Sequence, residues 1–205
     1  MKFTLPVLIV VLSICFSCEK TEEIKPVSNV PSGAVAFNDN DIQFVPYTTE
    51  SPVFKDQLDN VLTLEFIERK RSEESFAWDQ TFFNFSTNTD LKIEMRLRYL
   101  QSDVSKKTLA IYMPYFDNSG SLRTNLFEIP IDYTDIELGF FKNLIEFHDT
   151  LLINAVEYYN VFEVTELVST DSNKDGPENF NRLYYNRTKG ILQMHVKDGV
   201  IWTLQ

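Results

Sequence analysis

From Leu91 to Tyr99 apolar and charged residues alternate without a break. Leu91, Ile93, Met95, Leu97 and Tyr99 interleave with Lys92, Glu94, Arg96 and Arg98. That two-residue period belongs to a strand with one wet face; a helix would scatter the four charges around its circumference. Residues 90–100 are therefore predicted as strand, and weaker runs of the same kind at 42–47, 62–66, 82–85, 109–113 and 127–133 extend the pattern. Pro46, Pro114 and Pro130 lie in or beside these runs and point to edge strands or strand ends, because proline cannot donate to a ladder.

The last third reads as a meander. Residues 150–153 and 158–167 are expected to pair across 154–157, followed by strands at 182–186, 191–196 and 200–204. Thr188-Lys189-Gly190 and Asp198-Gly199 separate these last three, and Asp-Gly between alternating runs is a strong hairpin signal. Helical signals are sparse. Ser51-Pro52 is placed to cap and open one or two turns through Leu58, and Phe140, Phe141, Leu144 and Ile145 fit a helical spacing about as well as a strand. The expected fold is mainly β: an antiparallel curved sheet or partly open barrel with at most one or two short helices, a sandwich being second choice.

The first residues carry an address. Met1-Lys2 precedes an almost wholly apolar run from Phe3 to Phe16, then Ser17-Cys18 and the charged Glu19-Lys20-Thr21-Glu22-Glu23. A short positive start, an apolar run, a small residue and a cysteine make a bacterial lipoprotein signal peptide. The run, about 14 residues, is too short to span a bilayer core of about 30 Å. Cys18 follows the small Ser17 whereas Cys15 follows the bulky Ile14, so Cys18 is the expected lipid attachment site. Two or more acyl chains there would hold the protein on its membrane. Residues 18–32, charged and carrying Pro26 and Pro31, read as a tether, and 33–205 as one β-rich domain.

Removing residues 1–17 from 205 leaves 188 and, with Lys2 gone, takes the net charge from −11 to −12. That balance repels polynucleotides. Both cysteines lie in the leader region, so the domain is expected to use neither a disulfide nor a thiolate ligand or nucleophile. Seventeen Phe and nine Tyr are ample for an aromatic core.

Several groups of residues have chemistry to offer. Asp171, Asn173 and Asp175, followed by Gly176, form the first half of a calcium loop, but Arg182 stands where the closing Glu belongs, so Glu178 or Asn179 would have to substitute. The same residues also read as a polar hairpin loop. The two histidines, His148 and His195, exclude a three-histidine zinc site and leave a ligand role shared with carboxylates. On its strand His195 alternates with Ile191 and Gln193, while Leu192, Met194 and Val196 take the other face, expected to be core. No Gly-x-Ser-x-Gly elbow or phosphate-cradling glycine loop is present. Asp149-Thr150-Leu151 fits a short acceptor pattern for O-linked glycans. Tyr158-Tyr159 and Tyr184-Tyr185 should each send one ring to the core and one outside, and Trp202 reads as a core anchor.

The leader with its acidic residues after Cys18 resembles the envelope lipoproteins of Bacteroidetes-type bacteria. The ending, Leu183-Tyr184-Tyr185-Asn186-Arg187-Thr188-Lys189-Gly190-Ile191 through Val200-Ile201-Trp202-Thr203-Leu204, is similar to that of small lipoproteins of the same group, as is Tyr158-Tyr159-Asn160-Val161-Phe162-Glu163 ahead of it. The resemblance implies a lipid-anchored location at the outer membrane of a Gram-negative bacterium, on its periplasmic face or the cell surface, and implies no activity. The expected role is non-enzymatic binding of a small molecule or a protein partner. The rival reading is a glycan hydrolase with two carboxylates in one cleft.

Overall fold

The computed structural model describes residues 33–47, 51–71, 79–88, 92–100, 102–137, 141–166 and 179–205. Eleven strands among them form one antiparallel sheet. In chain order these are β1 (Val53–Lys55), β2 (Val61–Arg71), β3 (Asp79–Thr87), β4 (Lys92–Leu100), β5 (Asp103–Phe116) and β6 (Leu122–Pro130), then β7 (Ile145–Ile153), β8 (Val156–Thr165), β9 (Phe180–Asn186), β10 (Gly190–Val196) and β11 (Ile201–Leu204). The spatial order is β6-β5-β4-β3-β2-β1-β11-β10-β9-β8-β7. Chain neighbours thus pair throughout except β6 with β7, and β1 pairs with β11 to bend the meander into a nearly closed barrel. The mainly β, partly open barrel expected from the sequence is the observed architecture.

The gap lies between β6 and β7, and parity accounts for it. Ten antiparallel steps around eleven strands bring β6 and β7 back parallel to each other, so no hairpin can join them. A 3-10 turn at Tyr133–Glu137 lies in the connection instead and touches both β6 and β7. Side chains cover the seam: the Arg187 guanidinium donates to the Ile131 carbonyl, Tyr133 stacks on Phe147, and Asn125 of β6 donates to Glu166 and, at 2.7 Å, to Asn179.

Ile93, Met95, Leu97 and Tyr99 of β4 are buried, with the charged residues between them turned outward. Aromatic and aliphatic side chains from both halves of the sheet meet in one core. Pro130 ends β6, and Pro114 lies past the last β4 partner of β5, pairing only with Thr124 of β6. A proline costs least at such a place, although β5 itself is not an edge strand.

Two predicted elements are corrected. Residues 42–47 are not a strand. Asn38 and Asp41 form a capping box that starts the short helix α1 (Asp39–Ile42), and the chain then turns inward with Phe44, Val45 and Tyr47 buried. Phe37 packs on Tyr99 of β4, Phe44 on Phe162 of β8 and Tyr185 of β9, and Tyr47 on Phe85 of β3. A segment touching such distant staves lies across the barrel: Phe44, Val45 and Tyr47 at its end plug the interior, while most of residues 33–43, Val35 at 65% included, stay exposed. The Tyr99 hydroxyl donates to the Val35 carbonyl at 3.2 Å and Lys107 Nζ to that of Ala36 at 2.9 Å, which satisfies plug backbone with side chains from the wall.

The second correction is the helical opening expected at Ser51-Pro52. Residues 53–55 form β1 instead, with Phe54 fully buried opposite Leu62 on one side and Leu204 on the other. Two ladders and a buried phenylalanine outweigh a local capping signal worth about 1 kcal/mol. Phe141 through Leu144 form a turn that leads into β7, and Phe140 lies outside the described residues.

Candidate functional site

With Phe44, Val45 and Tyr47 packed into the interior, a concavity among the described residues opens at the seam. A cleft of about 450 Å³ opens beside it, walled by Tyr133, Phe147, Tyr159 and Phe162. The rings form a continuous series. Tyr133 stacks on Phe147 at 5.7 Å and 20°, Phe147 meets Phe162 at 5.2 Å and 63°, and Phe162 meets Phe44 of the plug at 6.2 Å. The polar lining includes Asp149 of β7, Asn160 of β8 and Arg187 from the turn after β9. Arg187 is fixed from two sides: its guanidinium carbon lies 4.5 Å above the Phe44 ring, and it donates to Ile131.

Asn160 sits mid-strand with φ of 53°, in the left-handed region. Asparagine tolerates that conformation better than most residues, yet such departures concentrate where a site is built. It stands across from Asp149, between the pairs His148–Val161 and Thr150–Tyr159. The cleft therefore joins flat apolar walls to an acid, an amide and a guanidinium. That combination receives a small molecule with one apolar face and several hydroxyl or carboxylate groups.

A second cleft, of about 460 Å³, lies among Tyr47, Pro52, Lys189 and Leu204, and no carboxylate side chain lines it. Neither cleft brings two acids together.

The outer face of β7–β10 gathers the ionisable groups instead. Glu146 and Glu163 are directly opposite on the β7–β8 ladder. His148 places Nε2 3.1 Å from Glu163 Oε2 and Nδ1 4.0 Å from Glu146 Oε1. Arg182 of β9 holds Glu163 Oε1 at 3.0 Å. Burial raises the Tyr184 phenol above its ordinary range. Burial, with the Arg182 charge as a smaller cause, lowers His195, which lies against the Tyr184 ring at 5.3 Å and bonds Gln193 at 2.7 Å. The two histidines thus share one face, His148 among carboxylates and His195 beside a tyrosine.

The face predicted for His195 holds with one change. The β9–β10 register shifts between Ile191 and Gln193, so Ile191 joins Met194 in the main core while Leu192 packs in the outer cluster with Ile153, Val161 and Tyr184. A bulge re-aims side chains in this way, and strict alternation does not reveal it. Tyr185 is fully buried and Tyr184 lies on the other face; Tyr158 packs on the outer cluster while Tyr159 is 59% exposed. Trp202 is half-buried against the main core. Thr150 is exposed on β7.

Cys18 and the calcium-loop candidates Asp171, Asn173 and Asp175 lie outside the described residues. Asn179, one of the possible closing ligands, is buried and accepts from Asn125. Arg182, at the position that a closing glutamate would take, is paired with Glu163. Tyr133, Phe147, Asn160 and Arg187 carried no recognisable motif, because chain reversal and ladder register alone bring them together. No helix among the described residues is long and apolar enough to cross a membrane. The chain matches no family model, no curated protein and no solved structure.

Proposed function

We propose that this chain is a lipid-anchored envelope protein that binds a small polar ligand, saccharide-like in shape, in the seam cleft, without transforming it. The observation that carries the reading is the contrast between the plugged lumen and the cleft, where aromatic walls meet Asp149, Asn160 and Arg187. Aromatic faces match the apolar face of a sugar ring, while the guanidinium favours a ligand bearing a carboxylate. The hydrolase alternative needs two acids about 5–10 Å apart in one cleft, and Asp149 is the carboxylate of this one.

Attachment through Cys18 at the outer membrane completes the proposal, supported by the leader pattern and the acidic residues behind it. Labelled palmitate should enter the wild-type chain and not Cys18→Ser. Native mass spectrometry of the chain extracted from its envelope should show an added mass that is lost on denaturation and absent from Tyr159→Ala. A bare chain, together with no binding across a panel of neutral and acidic oligosaccharides, would sink the ligand reading. The protein-partner alternative draws on the tip of the β7–β8 hairpin, where Leu152 and Val156 are 68% and 51% exposed.

A further inference from the structure

Glu146 and Glu163 occupy directly opposed positions on an antiparallel ladder, an arrangement that like charges destabilise unless something positive lies between them. Arg182 answers one oxygen of Glu163 at 3.0 Å. The other, Oε2, faces His148 Nε2 at 3.1 Å. One ligand atom from each of Glu146, His148 and Glu163 lies within 4.8 Å of the others, which is close enough for modest rotamer adjustment to bring all three onto one ion. Glu146 is 72% exposed at its side chain and free of core packing, so it can make that adjustment, while Glu163 and His148 are largely covered and already held.

We propose that Glu146, His148 and Glu163 form a divalent transition-metal site, zinc in class, that clamps β7 to β8 on the outer face of the barrel. One imidazole nitrogen and two carboxylate oxygens suit zinc better than calcium, which takes six to eight oxygens. Water completes the coordination. Arg182 acts as a positioning residue: by taking Oε1 it leaves Glu163 to bind through Oε2 alone, as outer partners of metal ligands commonly do. The site draws on the face opposite Phe147 and is independent of the cleft reading.

The test is calorimetric titration of zinc chloride into the untagged full chain, solubilised in detergent and stripped with chelator, with thermal melts in parallel. Expected are one high-affinity zinc per chain and a melting temperature that rises with zinc. His148→Ala should abolish that event, Glu146→Gln should weaken it by at least about tenfold, and Arg182→Gln should weaken it by about tenfold or more. His195→Gln should leave it unchanged. Glu146 is at the surface, so its variant folds even if His148→Ala does not. Absence of binding to the wild type, or wild-type affinity in Glu146→Gln, would overturn the site.

Discussion

The Tyr47 hydroxyl rests against Gly190 and accepts the backbone N–H of Ile191, so that a plug side chain occupies the space that a Cβ at position 190 would fill. Plug and wall are fitted to each other at this point.

Replacing Gly190 by alanine meets two obstacles. Its φ of 79° disfavours any Cβ, and that Cβ would overlap the Tyr47 phenol. Gly120, in the β5–β6 turn, has a similar φ of 75° with nothing within 4 Å of its would-be Cβ. Gly190→Ala should therefore cost about 2–5 kcal/mol in urea unfolding, and Gly120→Ala about 1 kcal/mol. Equal losses would mean that the contact with Tyr47 is unimportant.

Tyr47 and Tyr185 are both fully buried, and burial pushes each phenol well above 10.0. The unfolded chain releases these protons near 10.0 and the folded one does not, so their contribution is complete below that pH and is lost as pH rises beyond it. Tyrosinate absorbance should show buried groups, Tyr47 and Tyr185 among them, that titrate only together with unfolding, one fewer in Tyr185→Phe.

His195 behaves in the opposite sense. Its imidazole is lowered from 6.5 by burial and by Arg182, partly opposed by Glu163, with Tyr184 and Gln193 as its other neighbours. The unfolded chain takes up this proton first, so stability should fall as pH drops below 6.5 and level off beneath the folded value. His195→Gln should flatten that part of a melting-temperature profile; an unchanged slope would assign it to other groups.

Phe44 stands at the head of the plug, stacked on Tyr185 at 5.7 Å and lying under Arg187. Phe44→Ala should cost about 3–5 kcal/mol and loosen Arg187, so that cleft binding weakens along with stability. Tyr159→Ala, at an exposed position, should weaken binding while shifting stability by less than about 0.5 kcal/mol.

The strands were the legible part of this protein. β4 announced itself because its charges take the outer face and its apolar residues the core, and the Asp198-Gly199 turn announced the β10–β11 hairpin. The plug misread as a strand because its apolar residues suggested a sheet face, whereas the consecutive Phe44 and Val45 are both buried, by enclosure and not by one sheet face. β1 misread as a helix because Ser51-Pro52 is a local signal and its partners Leu62 and Leu204 are not local. The Glu146–His148–Glu163 group was illegible for a related reason. Only the β7–β8 register makes Glu146 and Glu163 neighbours, and a register is a property of two strands.

Among the described strands, every pairing but one joins consecutive staves. Hairpins of that kind zip within microseconds, since each closes a connection local in the chain, the β8–β9 one between Thr165 and Phe180 being the longest. The exception is β1 with β11, where Phe54 meets Leu204 from the far end of the domain. The barrel is thus quick to assemble as two ribbons and slow to become a ring, and its overall folding rate should follow the encounter of those two short strands.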